Sequence, residues 1–192
     1  QDLWDRRDTM GVRTFFNTIE TIANPAGADV HLGSFYHLAF AKKMVETFQR
    51  SEHHDLDRVI MFQGMEGYDD IRPGYTKVAE WTRAPSGSAD ADADADGAFT
   101  DYEIETAEYG MDFEYDDLGV DPDDVAGASA EITREVLAGE RDGDFADAVA
   151  LNAAFRIYAR ADVDTLDAGL DRAREVIDSG DAAATLEDLQ AF

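Results

Sequence analysis

Two adjacent carboxylates, Asp69 and Asp70, lie in the glycine-rich stretch QGMEGYDDIRPG, residues 63–74. The stretch directly follows RVIMF, residues 58–62, an apolar run that is typical of a buried strand. In α/β folds, ligands bind in the crevice at the carboxyl ends of strands. Paired carboxylate oxygens suit hydrated Mg²⁺, which substrate phosphates then complete. The stretch therefore predicts a Mg²⁺ site at Asp69 and Asp70. A polar surface turn is the alternative, and it is the commoner fate of such a pair in an acidic chain.

A second acidic pattern, from Asp92 to Glu103, matches the calcium-binding loop D-x-D-x-D-G-x5-E. Its matching positions are Asp92, Asp94, Asp96, Gly97 and Glu103. A calcium loop needs a helix on each side, but APSGS precedes the pattern and large residues alternate with acids after it. We therefore interpret residues 84–97 as a flexible acidic linker loop between two strands, and the calcium site as the weaker hypothesis.

Three arginines near the start of the chain, Arg6, Arg7 and Arg13, could bind a carboxylate or a phosphate through their guanidinium groups. Pairing with the neighbouring acids is the alternative. The chain has no cysteine, which excludes disulfides, thiolate metal sites and cysteine nucleophiles. The four histidines lack the spacing of a metal motif, and neither a G-x-S-x-G nor a phosphate-loop motif occurs.

The composition is strongly acidic, with 43 Asp and Glu against 16 Lys and Arg and a formal net charge of -27. Such a surface tolerates its own repulsion where salt is concentrated, since the Debye length falls to ~3 Å in 1 M salt. We therefore expect a protein adapted to high salt. No basic cluster exceeds Arg6-Arg7, which disfavours a large nucleic-acid surface. Because no apolar run approaches the ~20 residues of a membrane helix and no signal peptide is present, we predict a cytoplasmic protein without a membrane partner.

The hydrophobic pattern predicts a single α/β domain over residues 1–192. Predicted strands cover residues 30–35, 58–62, 76–81 and 99–105. Predicted helices cover residues 38–48, 146–158 and 166–177, with a first helix before Asn24, one that starts at Asp121-Pro122 and one near residues 186–189. This order places the Asp69-Asp70 loop after the most apolar strand.

Five stretches of the chain can be compared with a known family. They are GVRTFFNTIETIANPAGADVHLGSF (residues 11–35), the loop with Gly64, Gly67, Asp69 and Asp70, TDYEIETAEYG (100–110), ALNAAFRIYARAD (150–162) and AREVIDSGDAAATLEDL (173–189). Together they resemble the anthranilate phosphoribosyltransferases and their paralogues. The resemblance covers nearly all of the chain except its Asp-Ala repeat, but only about the C-terminal half of a family member. The glycine-rich diphosphate loop and the small helical domain of the family belong to the other half.

The resemblance implies a fold: the C-terminal part of the large α/β domain of an anthranilate-type phosphoribosyltransferase, with a mixed sheet flanked by helices. It implies that Asp69 and Asp70 hold Mg²⁺ on phosphoribosyl diphosphate, and that Arg7, four residues before Gly11, faces the carboxylate of the aromatic amine substrate. The implied reaction transfers phosphoribose to that amine in tryptophan biosynthesis. The resemblance also implies a homodimer when the helical domain is present, and no activity for this chain alone.

The sequence departs from the family in two places, which keeps an alternative open. The family usually has Asp-Glu where this chain has Asp69-Asp70, and a G-P-L-T turn where it has residues 20–23, ETIA. The loop QGMEGYDD also resembles that of paralogues that have lost transferase activity and bind nucleic acid. A non-catalytic binding protein of this kind is therefore the alternative to the transferase.

Overall fold

Four strands and five α-helices lie within residues 21–64, 70–84 and 97–192, the residues that the computed structural model describes. The first part contains β1 (Val30–Phe35), α1 (Leu38–Arg50), β2 (Arg58–Gln63), β3 (Tyr75–Arg83) and β4 (Gly97–Glu105). The second part contains α2 (Val125–Leu137), α3 (Asp144–Ala159), α4 (Leu166–Asp178) and α5 (Asp181–Ala191). Two short 3-10 segments, Thr106–Tyr109 and Tyr115–Leu118, connect the two parts. From β1 onward, the predicted order of strand, helix, three strands and then helices is confirmed, whereas the helix predicted before Asn24 lies mostly outside the described residues.

The strands form one sheet in the order β1-β2-β3-β4. β1 and β2 are parallel, with Val30 beside Arg58 and Phe35 beside Gln63. A parallel pair needs a crossover connection, and α1 supplies it. Because the two strands point the same way, their carboxyl ends lie at one edge of the sheet, where the glycine-rich loop begins.

The other strand pairs are antiparallel, which makes the sheet mixed, as predicted. The N–H of Arg83, at the end of β3, donates to the carbonyl of Asp57, just before β2, at 2.8 Å. In the same way, the N–H of Thr106 after β4 donates to the carbonyl of Gly74 before β3 at 2.9 Å. β3 therefore runs back along β2, and β4 runs back along β3.

The described residues pack as two compact units. One unit takes in the described residues of Gln1–Asp69 and Ala79–Thr100. Its core consists of apolar side chains from α1, the strands and the connection before β2: Phe35, Ala41, Met44, Val45, Phe48, Leu56, Val59, Met61, Ala79 and Trp81. The four from α1 recur at steps of three and four residues, so one face of the helix is buried while Lys42, Lys43 and Glu46 stay exposed. All four residues from Val59 to Phe62 are buried, as expected for an inner strand.

A charged pair lies within the same unit. Arg58 of β2 donates from Nε and Nη2 to Oε1 of Glu80 on β3, at 2.8 and 2.5 Å. Both side chains are largely buried. A buried charge is tolerated only with a partner, so this pair requires β2 and β3 to keep their register.

The other unit takes in the described residues of Asp70–Val78 and Asp101–Phe192. Its central helix is α3, which buries Ala150, Leu151, Ala154, Phe155 and Ala159. Gly169 of α4 lies against the backbone of α3, where an added Cβ would sit 2.7 Å from the Ala154 carbonyl oxygen. A glycine at this point therefore lets the two helices approach closely.

Two predictions from the sequence concern membrane-spanning helices and the number of domains. None of the helices in the described parts of the chain has the length and apolar character needed to cross a lipid bilayer. The interpretation of residues 1–192 as a single domain stays a prediction.

Candidate metal site

The glycine-rich stretch begins at the edge of the sheet where β1 and β2 end. The N–H of Gly64 donates to the carbonyl of Phe35 at 3.1 Å, which extends the parallel pairing one step beyond β2. The side-chain amide of Gln63 donates to the carbonyl of Tyr36 at 3.2 Å. These bonds fix the point at which the glycine-rich loop leaves the sheet.

Only one of the predicted site residues lies in the described part of the chain. Arg7 and Asp69 lie outside the described residues, whereas Asp70 is described and half-buried. No group of three or more His, Cys, Asp or Glu side chains that could hold a metal occurs among residues 21–64, 70–84 and 97–192. The structure therefore places Asp70 but does not test the predicted Asp69-Asp70 pair or Arg7.

The residue after Asp70 is held by the side chain of Asn152, from α3. Oδ1 of Asn152 accepts a hydrogen bond from the Ile71 N–H at 2.8 Å, and Nδ2 donates to the Ile71 carbonyl at 3.1 Å. Nδ2 also donates to the carbonyl of Ala148 at 3.0 Å, one turn earlier in α3. Ile71 itself is buried, with 5% of its surface exposed. The backbone beside Asp70 is therefore bound at both of its polar groups.

Two buried threonines hold the rest of this loop. Oγ1 of Thr76, in β3, accepts from the Arg72 N–H at 3.0 Å. Oγ1 of Thr106 accepts from the Gly74 N–H at 3.1 Å, beside the Thr106–Gly74 backbone bond. Thr76 and Thr106 are fully or almost fully buried. Gly74 has φ 78, a left-handed conformation that favours glycine and turns the chain into β3. We call residues 70–74 the anchored loop.

The chemistry of this arrangement suits a hard divalent cation. Two neighbouring aspartates supply oxygen ligands only, which Mg²⁺ prefers, and Mg²⁺ keeps several waters and needs only one or two protein carboxylates. Asp69 and Asp70 are therefore the residues that could hold Mg²⁺, and the fixed backbone after Asp70 limits the directions that its carboxylate can take. Metal ligands that are oriented by further hydrogen bonds bind more tightly than mobile ones.

Sequence reasoning did not assign a role to the three residues that hold the anchored loop. Asn152 stands out in the sequence only as part of the ALNAAF motif. A signal was nevertheless present, because a single amide within the apolar run ALNAAF needs buried hydrogen-bond partners. Thr76 and Thr106 carry no such signal, since threonine is common in strands and at their ends.

Only the second half of the predicted calcium loop lies within the described residues. Asp92, Asp94 and Asp96 lie outside the described residues, whereas Gly97 and Glu103 lie in β4. The predicted strand downstream of the linker is confirmed, and a strand stands where a calcium loop needs a helix. The carboxylate of Glu103 accepts a hydrogen bond from the Tyr75 hydroxyl at 3.1 Å and lies 3.8 Å from Nζ of Lys77. Glu103 thus has partners on β3.

Several known proteins with similar sequences or structures are anthranilate phosphoribosyltransferases. The anthranilate phosphoribosyltransferase of Natronomonas pharaonis is 33% identical over 194 residues, which cover 97% of this chain and 50% of that protein. The crystal structure of anthranilate phosphoribosyltransferase from Thermus thermophilus is 30% identical, with a TM-score of 0.69 over 95% of this chain and 48% of that one. The chain spans about half the length of the curated relatives it matches.

A more distant structure supports the fold alone. Anthranilate phosphoribosyltransferase from Saccharomyces cerevisiae, in complex with PRPP and Mg, is 18% identical, with a TM-score of 0.67 over 94% of this chain and 47% of that one. The family model described as "Glycosyl transferase family, a/b domain" matches residues 3–183. Since that match takes in most of the sequence, the chain belongs to this glycosyl transferase family.

Proposed function

We propose that this chain is the Mg²⁺-binding part of an anthranilate-type phosphoribosyltransferase of tryptophan biosynthesis. The anchored loop is the observation that carries the proposal. Its hydrogen bonds hold the backbone of residues 71–74, directly after Asp70, in the stretch that follows the apolar strand in the sequence. The family membership and the names of the relatives support the same activity. Phosphoribosyl diphosphate and an aromatic amine such as anthranilate are the proposed substrates.

In the proposed reaction, the amine nitrogen forms a bond to the anomeric carbon of the ribose. The bond from that carbon to the diphosphate oxygen breaks, its electron pair leaves with diphosphate, and the amine loses a proton to water. Asp69 and Asp70 would hold Mg²⁺, and the bound cation would supply positive charge that offsets the charge of the diphosphate leaving group. Arg7 binds the carboxylate of the aromatic amine through its guanidinium group.

Several further properties belong to the proposal. The chain alone is not a competent transferase, because it spans only about half the length of its relatives. The complete enzyme is a cytoplasmic homodimer adapted to high salt. The salt adaptation follows from the net charge of -27. Circular dichroism in low and in multimolar KCl tests it, and equal stability in both would contradict it.

The activity is tested by supplying the missing half. The chain is mixed with, or fused to, the part of the Natronomonas pharaonis relative that this sequence does not match. Loss of anthranilate fluorescence is then followed in multimolar KCl with phosphoribosyl diphosphate and MgCl₂. We expect turnover only when both halves and Mg²⁺ are present, and loss of turnover in D69N/D70N. A folded, associated complex that shows no turnover would contradict the proposal. The nucleic-acid alternative is examined in the same salt by gel shift.

A further inference from the structure

We infer that Asn152 is a positioning residue for the metal, acting through the backbone to aim the carboxylate of Asp70. The inference rests on the proposed function, because it assumes that Asp70 binds Mg²⁺. It adds a residue from α3, 82 positions further along the chain than Asp70, to the set that determines metal affinity.

Asn152 holds the peptide bond between Asp70 and Ile71. The Ile71 N–H belongs to the same planar peptide group as the carbonyl of Asp70. When Oδ1 of Asn152 accepts from this N–H at 2.8 Å, it fixes the plane of that group. The donor bond from Nδ2 to the Ile71 carbonyl, at 3.1 Å, fixes the next one. The first plane contains the Cα of Asp70, so holding it fixes the position of that Cα and restricts the direction in which the side chain leaves the backbone, while the second plane keeps Ile71 in place.

The Asn152 amide is itself held in one orientation. Its two Nδ2 hydrogens have separate acceptors, the carbonyls of Ile71 and Ala148, and its oxygen has a donor, the Ile71 N–H. Turning the amide over would place a donor against the Ile71 N–H, so only one orientation satisfies all three bonds. The bond to Ala148 holds the amide against the backbone of α3, so the loop is hydrogen-bonded to that helix through Asn152.

Ordering the Asp70 carboxylate in advance affects the affinity for Mg²⁺. A ligand that is already ordered loses less conformational entropy when the metal arrives, and loss of such outer partners costs about 10–100-fold in metal affinity. Asn152→Ala removes all three amide bonds but leaves both aspartates in place. We therefore expect weaker Mg²⁺ binding from a substitution that changes no ligand.

The test measures binding rather than turnover. MgCl₂ is titrated calorimetrically, in multimolar KCl with inorganic diphosphate, into the wild-type chain, N152A and A154G. A154G is the matched control, since it disturbs the same buried helix two residues away without a bond to the loop. We expect N152A to weaken Mg²⁺ binding about 10-fold or more, and A154G to leave it unchanged. Equal binding by N152A and the wild type, or an equal loss in A154G, would overturn the inference.

A second measurement needs no variant and decides the matter if N152A does not fold. Hydrogen exchange of the Ile71 amide is followed by NMR in the wild-type chain, with and without saturating MgCl₂ and diphosphate. Since binding and positioning are reciprocal, we expect the metal to slow exchange at Ile71. Unchanged exchange at saturation would overturn the inference alone. If the wild-type chain, joined to the part of the Natronomonas pharaonis relative that it does not match, binds no Mg²⁺ with diphosphate, the metal site itself is overturned, and the proposed function with it.

Discussion

Two acidic parts of this chain offer carboxylates to a cation in different ways. In the anchored loop, the half-buried side chain of Asn152 and the buried side chains of Thr76 and Thr106 bind the backbone of residues 71–74, directly after Asp70. In β4, the carboxylates of Asp101 and Glu103 lie at the surface, with 36% and 54% of their side chains exposed. Both regions contain part of an acidic motif of the sequence. Only in the anchored loop do side chains from other elements bind the backbone beside the acid.

The difference shows why a good motif match can indicate the poorer site. The stretch from Asp92 to Glu103 matches a complete calcium motif, whereas Asp69 and Asp70 are only a pair. Oxygen ligands bind a metal tightly when other bonds order them beforehand. In β4, Glu103 is instead engaged by Tyr75 and Lys77 on the neighbouring strand. The backbone bonds, rather than the number of acids, therefore favour the anchored loop.

The largest expected effect comes from removing the acids on each side of this comparison. D69N/D70N should weaken binding of Mg²⁺ with diphosphate by more than about 100-fold, because it removes ligands rather than their supports. D101N/E103Q removes the same formal charge from β4 and should leave that affinity nearly unchanged. Calorimetry in multimolar KCl measures both. Similar losses in the two double variants would mean that only the overall acidity attracts the cation.

The next effect concerns two glycines at the beginnings of strands: Gly74, directly before β3, and Gly97, the first residue of β4. An added Cβ at Gly97 would lie 2.3 Å from the Thr82 carbonyl oxygen and 2.6 Å from Nε1 of Trp81. G97A should therefore lower the free energy of unfolding by about 3 kcal/mol, the upper end of overpacking costs. At Gly74 nothing lies within 4 Å of an added Cβ, and G74A should cost only about 1 kcal/mol for its left-handed φ.

Urea unfolding in multimolar KCl, followed by circular dichroism, measures both variants. If G74A proves as costly as G97A, the turn into β3 is more constrained than its open surroundings indicate.

A smaller effect separates buried hydroxyl bonds from exposed ion pairs. T106V keeps the shape of Thr106 but leaves the Gly74 N–H without its hydroxyl acceptor, which should cost about 1–2 kcal/mol. K77M removes ion pairs of 3.6 and 3.8 Å to Asp101 and Glu103, which should cost less than about 0.5 kcal/mol. The same unfolding experiment compares them. A larger loss in K77M than in T106V would reverse the ranking of the two regions.

The sequence predicted the parts of the fold that depend on local patterns. The run RVIMF indicated an inner strand because β-branched and apolar residues fill both of its faces. The spacing of Met44, Val45 and Phe48 indicated the buried face of α1. The resemblance to anthranilate phosphoribosyltransferases was confirmed by the similarity to enzymes of that name.

Long-range bonds could not be predicted in the same way. Nothing in the sequence indicates that Glu80 is buried, since acids usually lie at the surface. It is buried because the strand register places it beside Arg58. Asn152 meets Ile71 only after α3 has packed, 81 residues away along the chain. The helix predicted to start at Asp121-Pro122 also began too early, because the side chain of Asp124 caps the helix and residues 121–123 form a turn before it. The sequence alone does not show which distant residues pair, because the pairing depends on the strand register and on how the helices pack.

The smallest effect is a pH dependence on the β4 side. Partial desolvation, followed by the hydrogen bond to Glu103, raises the pKa of Tyr75 above its usual 10.0. The folded chain thus holds the phenol proton more tightly than the unfolded chain does. The resulting stabilisation is fully present below about pH 10 and is lost as the pH rises through the folded-state pKa. Alkaline titration of tyrosinate absorbance, with Y75F subtracted to isolate Tyr75, should show E103Q titrating at lower pH than the wild type. Identical titrations would mean that Glu103 does not act on Tyr75, and would leave its carboxylate available to a cation after all.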